Sequence, residues 1–99
     1  MSASQRKSGK SELQQQRERW CRAAAAIIAA TRRDKDMTQV EFGHRMGWSH
    51  DTVASVESAR RKIEFGDLIM AANALEEDPN ILVQRVLQWN VRDRRTTRK

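Results

Sequence analysis

The side chains best placed to do chemistry lie between Gln39 and Lys62, and their types suit binding rather than catalysis. Ser49, His50, Asp51, Ala54, Ser55 and Ser58 fall on the outer side of a helical pattern whose apolar positions, Val53 and Val56, keep i, i+3 spacing. An exposed face of small and polar side chains can approach the edges of nucleic-acid bases closely. His50 can donate to guanine N7 or O6, and Asp51 can accept from cytosine N4, with Ser55 one turn further on. Asp51 has a second reading, since a carboxylate in the first turn of a helix is favoured electrostatically. Ala54 can meet a thymine methyl or simply leave room for the backbone. Arg60, Arg61 and Lys62 follow at once and, with Ser58, can hold a phosphate strand. An enzyme would need converging acid, base or nucleophile groups, and the chain offers little of that. His44 and His50 are six residues apart across a turn, without C-x-x-C or H-E-x-x-H beside them. No metal, other cofactor or catalytic role is therefore expected.

Two short helices joined by a tight turn must position that face. Thr38 followed three residues later by Glu41 predicts a capping box, which starts the first of them at Thr38. Phe42 and Met46 lie four apart and share a face, while Gly43 sits where a side chain would collide with a closely crossing helix. Gly47 ends the helix by taking positive φ. Ser49 caps the next one, whose Val53 and Val56 face the same core as Phe42, Met46 and Trp48. Trp48 is assigned to that core rather than to base stacking because of the area a tryptophan can bury.

The stretch TQVEFGHRMGWSHDTVASVESARR resembles the lambda-repressor and Cro-like helix-turn-helix family, also called XRE-like. Thr38-Gln39, Gly43, Gly47 and Glu57 stand where that family's pattern puts their counterparts, and the resemblance runs from about Ala25 to Leu87. It implies an all-α, five-helix DNA-binding domain of the lambda-repressor type. It further implies that Arg32 pairs with Glu57 in a structural ion pair, whose rupture would strand a charge at a cost of about 3 to 5 kcal/mol if shielded. Gln39 is implied to hold a phosphate, helped by the anion affinity of helix N-termini. Ser49 is a cap first and, with Ser58, a candidate phosphate contact. Phe65, Leu68, Ala72 and Leu75 resemble the family's fourth helix, and Asp78-Pro79 through Leu82 the start of its fifth. The departures are Gly43 for the more usual alanine, Ala59 where glycine is frequent, Ile63 where proline is, and Glu77 at a commonly apolar position. Gly43 should cost about 1 kcal/mol of helix propensity if exposed, and less if the site is crowded.

The 99 residues allow one small domain, and 38% hydrophobic against 32% charged residues fits a compact core with polar ends. No apolar run approaches the length of about 18 to 20 residues that spans a bilayer, and MSASQRKSGK lacks the apolar stretch of a secretory signal. A cytoplasmic, nucleoid-associated protein is expected. Cys21, the only cysteine, reads as a packed thiol. The net charge of +6 comes from the ends: +3 over residues 1–19, +4 over 90–99, and −1 from Trp20 to Trp89. Basic ends can supply phosphate attraction or can merely keep a small protein dissolved, and both readings stand.

Residues 1–10 and 90–99 are expected to be disordered basic arms around a domain at 11–89. Ser11 with Gln14 predicts the start of a long first helix, about Glu12 to Arg33, on a stripe of Leu13, Trp20, Ala24, Ile27, Ile28 and Thr31. Helix four is expected from about Phe65 to Leu75, and helix five from Pro79 to about Trp89. Uncovered Leu13 and Trp20 can pack on a second copy of the chain or on another protein, or their turns can fray, while helix five carries more apolar surface than one face requires, which points to a symmetry mate. The function expected is that of a prokaryotic or phage transcriptional regulator, a repressor binding a palindromic operator on double-stranded DNA as a homodimer. The alternative is an antitoxin-type protein that binds a toxin and autoregulates its operon, and polymerase is a further possible protein partner. General nucleic-acid binding through the basic arms alone is a third reading.

Overall fold

The computed structural model describes residues 9–97, with side-chain surroundings through Val91. Among these residues the chain forms five helices and no strand: α1 (Glu12–Asp34), α2 (Gln39–Met46), α3 (His50–Glu57), α4 (Phe65–Ala74) and α5 (Pro79–Thr97). The expected N-terminal arm lies outside the described residues except for Gly9 and Lys10.

Each of the first three helices starts on a hydroxyl cap. Ser11 Oγ accepts from Gln14 N–H, Thr38 Oγ1 from Glu41 N–H and Ser49 Oγ from Thr52 N–H. Only the threonine half of the capping box expected at Thr38 forms in α2, because the Glu41 carboxylate pairs with Arg45 one turn on. A capping box does form at α4, where Glu64 and Asp67 exchange side-chain and backbone bonds.

The core consists of two joined apolar clusters. Phe42 and Met46 of α2, Val53 of α3 and Leu75 meet Ile28 of α1 in one, and Ala23, Ala24 and Ile27 of α1 meet Leu82 and Val86 of α5 in the other. Ile63 and Leu68 pack against both, so the residue at the position where the resemblance favours proline serves as a bridge between clusters. Phe65 does not join them. It is 77% exposed, since as the first residue of α4 it precedes the turn that faces the core. Glu77, in place of an apolar residue, is accommodated by an ion pair with Lys35 at 3.4 Å.

Helix five differs most from expectation. It does not end near Trp89 but continues to Thr97, so residues 90–97 are helical rather than a disordered tail. No glycine or proline interrupts this stretch, and Asn90 is buried, so packing already reaches past Trp89. Helix one overhangs in the same way: its first buried residue is Ala23, eleven residues after its start. The molecule measures 48 by 26 by 21 Å, longer than a compact five-helix core because of these overhangs.

Candidate nucleic-acid interface

Gly43 and Gly47 set the distance between α2 and α3. Gly47 has φ +72°, and Trp48 N–H reaches back to the Gly43 carbonyl at 2.8 Å, closing α2 with a 6→1 bond. Trp48 then turns inward, edge-on to Phe42 with ring centroids 6.2 Å apart. The Arg61 guanidinium lies over the Trp48 ring, 5.5 Å from its centroid, so Trp48 links the core to the loop after α3.

A continuous set of polar bonds runs from the core to the outer end of α3. Arg32 Nε and Nη2 donate to the two Glu57 oxygens at 2.7 and 3.1 Å, and Arg32 Nη1 donates to the Met37 carbonyl. The two side chains are only 10% and 7% exposed. Gln39 Nε2 donates to Glu57 Oε1 at 3.0 Å, and Gln39 Oε1 lies 3.0 Å from His50 Nε2. The order of these contacts fixes the proton positions. An ionised carboxylate only accepts, so the Gln39 amide nitrogen must face Glu57 and its oxygen must face His50; His50 Nε2 is then the donor. His50, an exposed residue, is thereby tied through Nε2, and Nδ1 takes no part in this set of bonds.

The remaining expected contacts lie around this set. Ser49 caps α3, and its hydroxyl also meets Thr52 Oγ1 at 3.1 Å. Asp51 is exposed in the first turn, while Ala54 and Ser55 are half-buried. At the far end, Ser58 Oγ donates to the Ser55 carbonyl and accepts from Arg60 Nε. Arg60, Arg61 and Lys62 are all exposed, although Arg61 is also engaged by Trp48. The acids of the α4–α5 turn are matched elsewhere, Glu76 by Arg45 and Glu77 by Lys35. His44 and His50 line one shallow recess beside Gly43 and Gly47, and no group of three metal-binding side chains occurs among the described residues.

Two residues absent from the sequence-derived set adjoin these contacts. Arg17 and Arg22 of α1 border a groove of about 860 Å³ whose other wall contains Ser58, Arg60 and Lys62. Their spacing with Gln14, Glu18 and Cys21 follows the i, i+3, i+4 rule for one helical face, a signal hidden when Arg17 is counted merely as part of a basic end.

A family model described as "Helix-turn-helix" matches residues 28–82, which contain α2, α3 and α4 complete. No curated protein sequence matches the chain. Among solved structures, the chain is similar to the clp gene regulator ClgR from C. glutamicum, at 19% identity with a TM-score of 0.66. The likeness covers 70% of this chain and 90% of that one, and at this identity it speaks for the fold. No helix among the described residues is long and apolar enough to cross a membrane.

Proposed function

This chain belongs to the XRE-type helix-turn-helix family of DNA-binding transcription regulators, and from that premise we propose a sequence-specific repressor that occupies a palindromic operator as a homodimer. The observation that carries this reading is the set of bonds from Arg32 and Glu57 through Gln39 to His50. It holds an exposed ring at the N-terminal end of α3 in one orientation, as a base-reading side chain requires. With Nε2 donating to Gln39, Nδ1 meets the base. A neutral ring accepts there, from adenine N6 or cytosine N4, and a protonated ring donates, to guanine N7 or O6. Asp51 accepts from cytosine N4, and Ala54 and Ser55 line the next turn.

Phosphate contacts flank the reading helix. Ser58, Arg60 and Lys62 hold one strand, with Arg61 set by its position over Trp48. Gln39 and Ser49 stand where helix N-termini offer backbone N–H groups to the other, and Gln39 also braces His50. Exposed Leu87 and Val91 on α5 support pairing with a second copy. Two copies on one face of the duplex would place their reading helices about 34 Å apart. Repression follows from covering promoter DNA.

Binding-site selection from random duplex DNA at fixed near-physiological salt tests the reading, with wild type beside His50→Ala and Ser55→Ala. A palindrome is expected, with its preferences relaxed at different positions in the two variants. Absence of any enriched motif from the wild type would overturn it.

A further inference from the structure

The first eleven residues of α1, Glu12 to Arg22, bury nothing in the core and precede the segment matched by the family model. They nevertheless form a defined surface. Gln14, Arg17, Glu18, Cys21 and Arg22 recur on one helical face and make one wall of the groove of about 860 Å³. The loop from Ser58 to Glu64 makes the other. A helical face turned toward a neighbouring element is ordinarily apolar, so that the two can close on each other. This face instead presents Arg17 and Arg22, both exposed, toward Arg60 and Lys62. The two acids within the groove have internal roles: Glu18 pairs with Lys10 at 2.9 Å, and Glu64 caps α4. With Lys10 and Glu18 matched, Arg17, Arg22, Arg60 and Lys62 stand against the single carboxylate of Glu64, which leaves a clear cationic excess around an open trough that begins at the C-terminal end of the reading helix.

We infer that this groove is a second phosphate-binding site, in which Arg17 and Arg22 grip the duplex backbone flanking the sequence read by α3. The inference rests on the proposed DNA-binding function. Three groove residues, Ser58, Arg60 and Lys62, are the proposed phosphate contacts at the end of α3, so a strand held there continues into the trough. Guanidinium groups suit this occupant because each can make two parallel hydrogen bonds to one phosphate. The overhanging half of α1 thus lengthens the footprint without adding base readout.

The test measures the affinity of the full chain for a 40-bp duplex of defined sequence as a function of salt, for wild type and three double variants. Arg17→Gln/Arg22→Gln removes the grip. Arg17→Lys/Arg22→Lys keeps its charge, and Arg19→Gln/Arg33→Gln removes the same net charge from α1 outside the groove. Each phosphate contact contributes about 0.9 to the slope of log affinity against log salt, so the groove Gln pair is expected to flatten the slope by about 2 for each bound chain. The lysine pair and the off-groove pair should stay near wild type. Equal flattening by both Gln pairs would attribute the effect to overall charge and overturn the inference, as would no flattening by either, the result expected if the trough holds an acidic protein partner. Far-UV circular dichroism checks that the variants fold, and the lysine pair supplies a folded comparison if the Gln pair does not. Failure of wild type to bind the duplex at any salt would instead count against the proposed function itself.

Discussion

A methyl group added at Gly43 would sit 2.6 Å from the Trp48 carbonyl oxygen and 3.2 Å from Val53 Cγ2. The oxygen belongs to the backbone and cannot swing away, so α2 and the start of α3 approach this closely only because the position is bare. Two effects compete on substitution by alanine. Helix propensity favours alanine by about 1 kcal/mol, whereas forcing extra volume into a packed site costs about 1 to 3 kcal/mol. The contact distance decides between them, because it lies well inside van der Waals separation. Gly43→Ala is therefore expected to lower unfolding free energy, by up to about 2 kcal/mol, in urea titration. A stabilised Gly43→Ala protein would mean that the turn at Gly47 yields easily. The same turn positions Ser49 and His50, so the variant should also weaken binding to any selected operator.

The helices end more uniformly than their sequences imply. Asp36, Gly47, Ala59 and Glu76 each take φ between +56° and +72° after α1, α2, α3 and α4 respectively. In each case the next residue's N–H reaches back five positions: Met37 to Arg32, Trp48 to Gly43, Arg60 to Ser55 and Glu77 to Ala72. Only Gly47 announces such a turn in the sequence, since the other three have side chains that this conformation disfavours. Ala59 makes no compensating polar contact through its methyl group, so glycine there removes a cost of about 1 to 2 kcal/mol against about 0.5 to 1 kcal/mol of added chain entropy. Ala59→Gly is expected to raise the thermal midpoint by a few degrees, and a lowered midpoint would show that the methyl packs favourably. This pattern also explains what could be read in advance. Thr38, Gly47, Ser49 and the Phe42, Met46, Val53 spacing carry local signals, so α2, α3 and the turn between them were legible, as was the Arg32–Glu57 pair through resemblance. The bonds from Gln39 to both His50 and Glu57 join residues 11 and 18 positions apart, and their orientation follows from acceptor and donor order in space. The extension of α5 was missed because its many charges read as an arm, although no residue there breaks a helix.

At the scale of the whole molecule, on the proposed palindromic operator one reading helix serves one half, and a monomer leaves the second half unread. Association must then come from surface outside the α2–α3 face. Leu87 and Val91 lie four apart on α5, share a helical face, and are each 48% exposed. Leu13 and Trp20 on the overhanging part of α1 are also exposed. Burying apolar surface at about 25 cal/mol per Å² favours pairing of such faces, while a single charge placed among them opposes it by desolvation. Leu87→Lys leaves the core intact, because its side chain is not among the buried residues. Sedimentation equilibrium is expected to find wild-type dimers at micromolar concentration and Leu87→Lys monomers with unchanged helical content. On DNA the variant should bind a single half-site as wild type does, yet lose affinity for the full palindrome by the factor that pairing supplied. A wild-type monomer that still binds the palindrome cooperatively would assign the coupling to the DNA, and a dimer indifferent to Leu87→Lys would move the interface away from this face of α5.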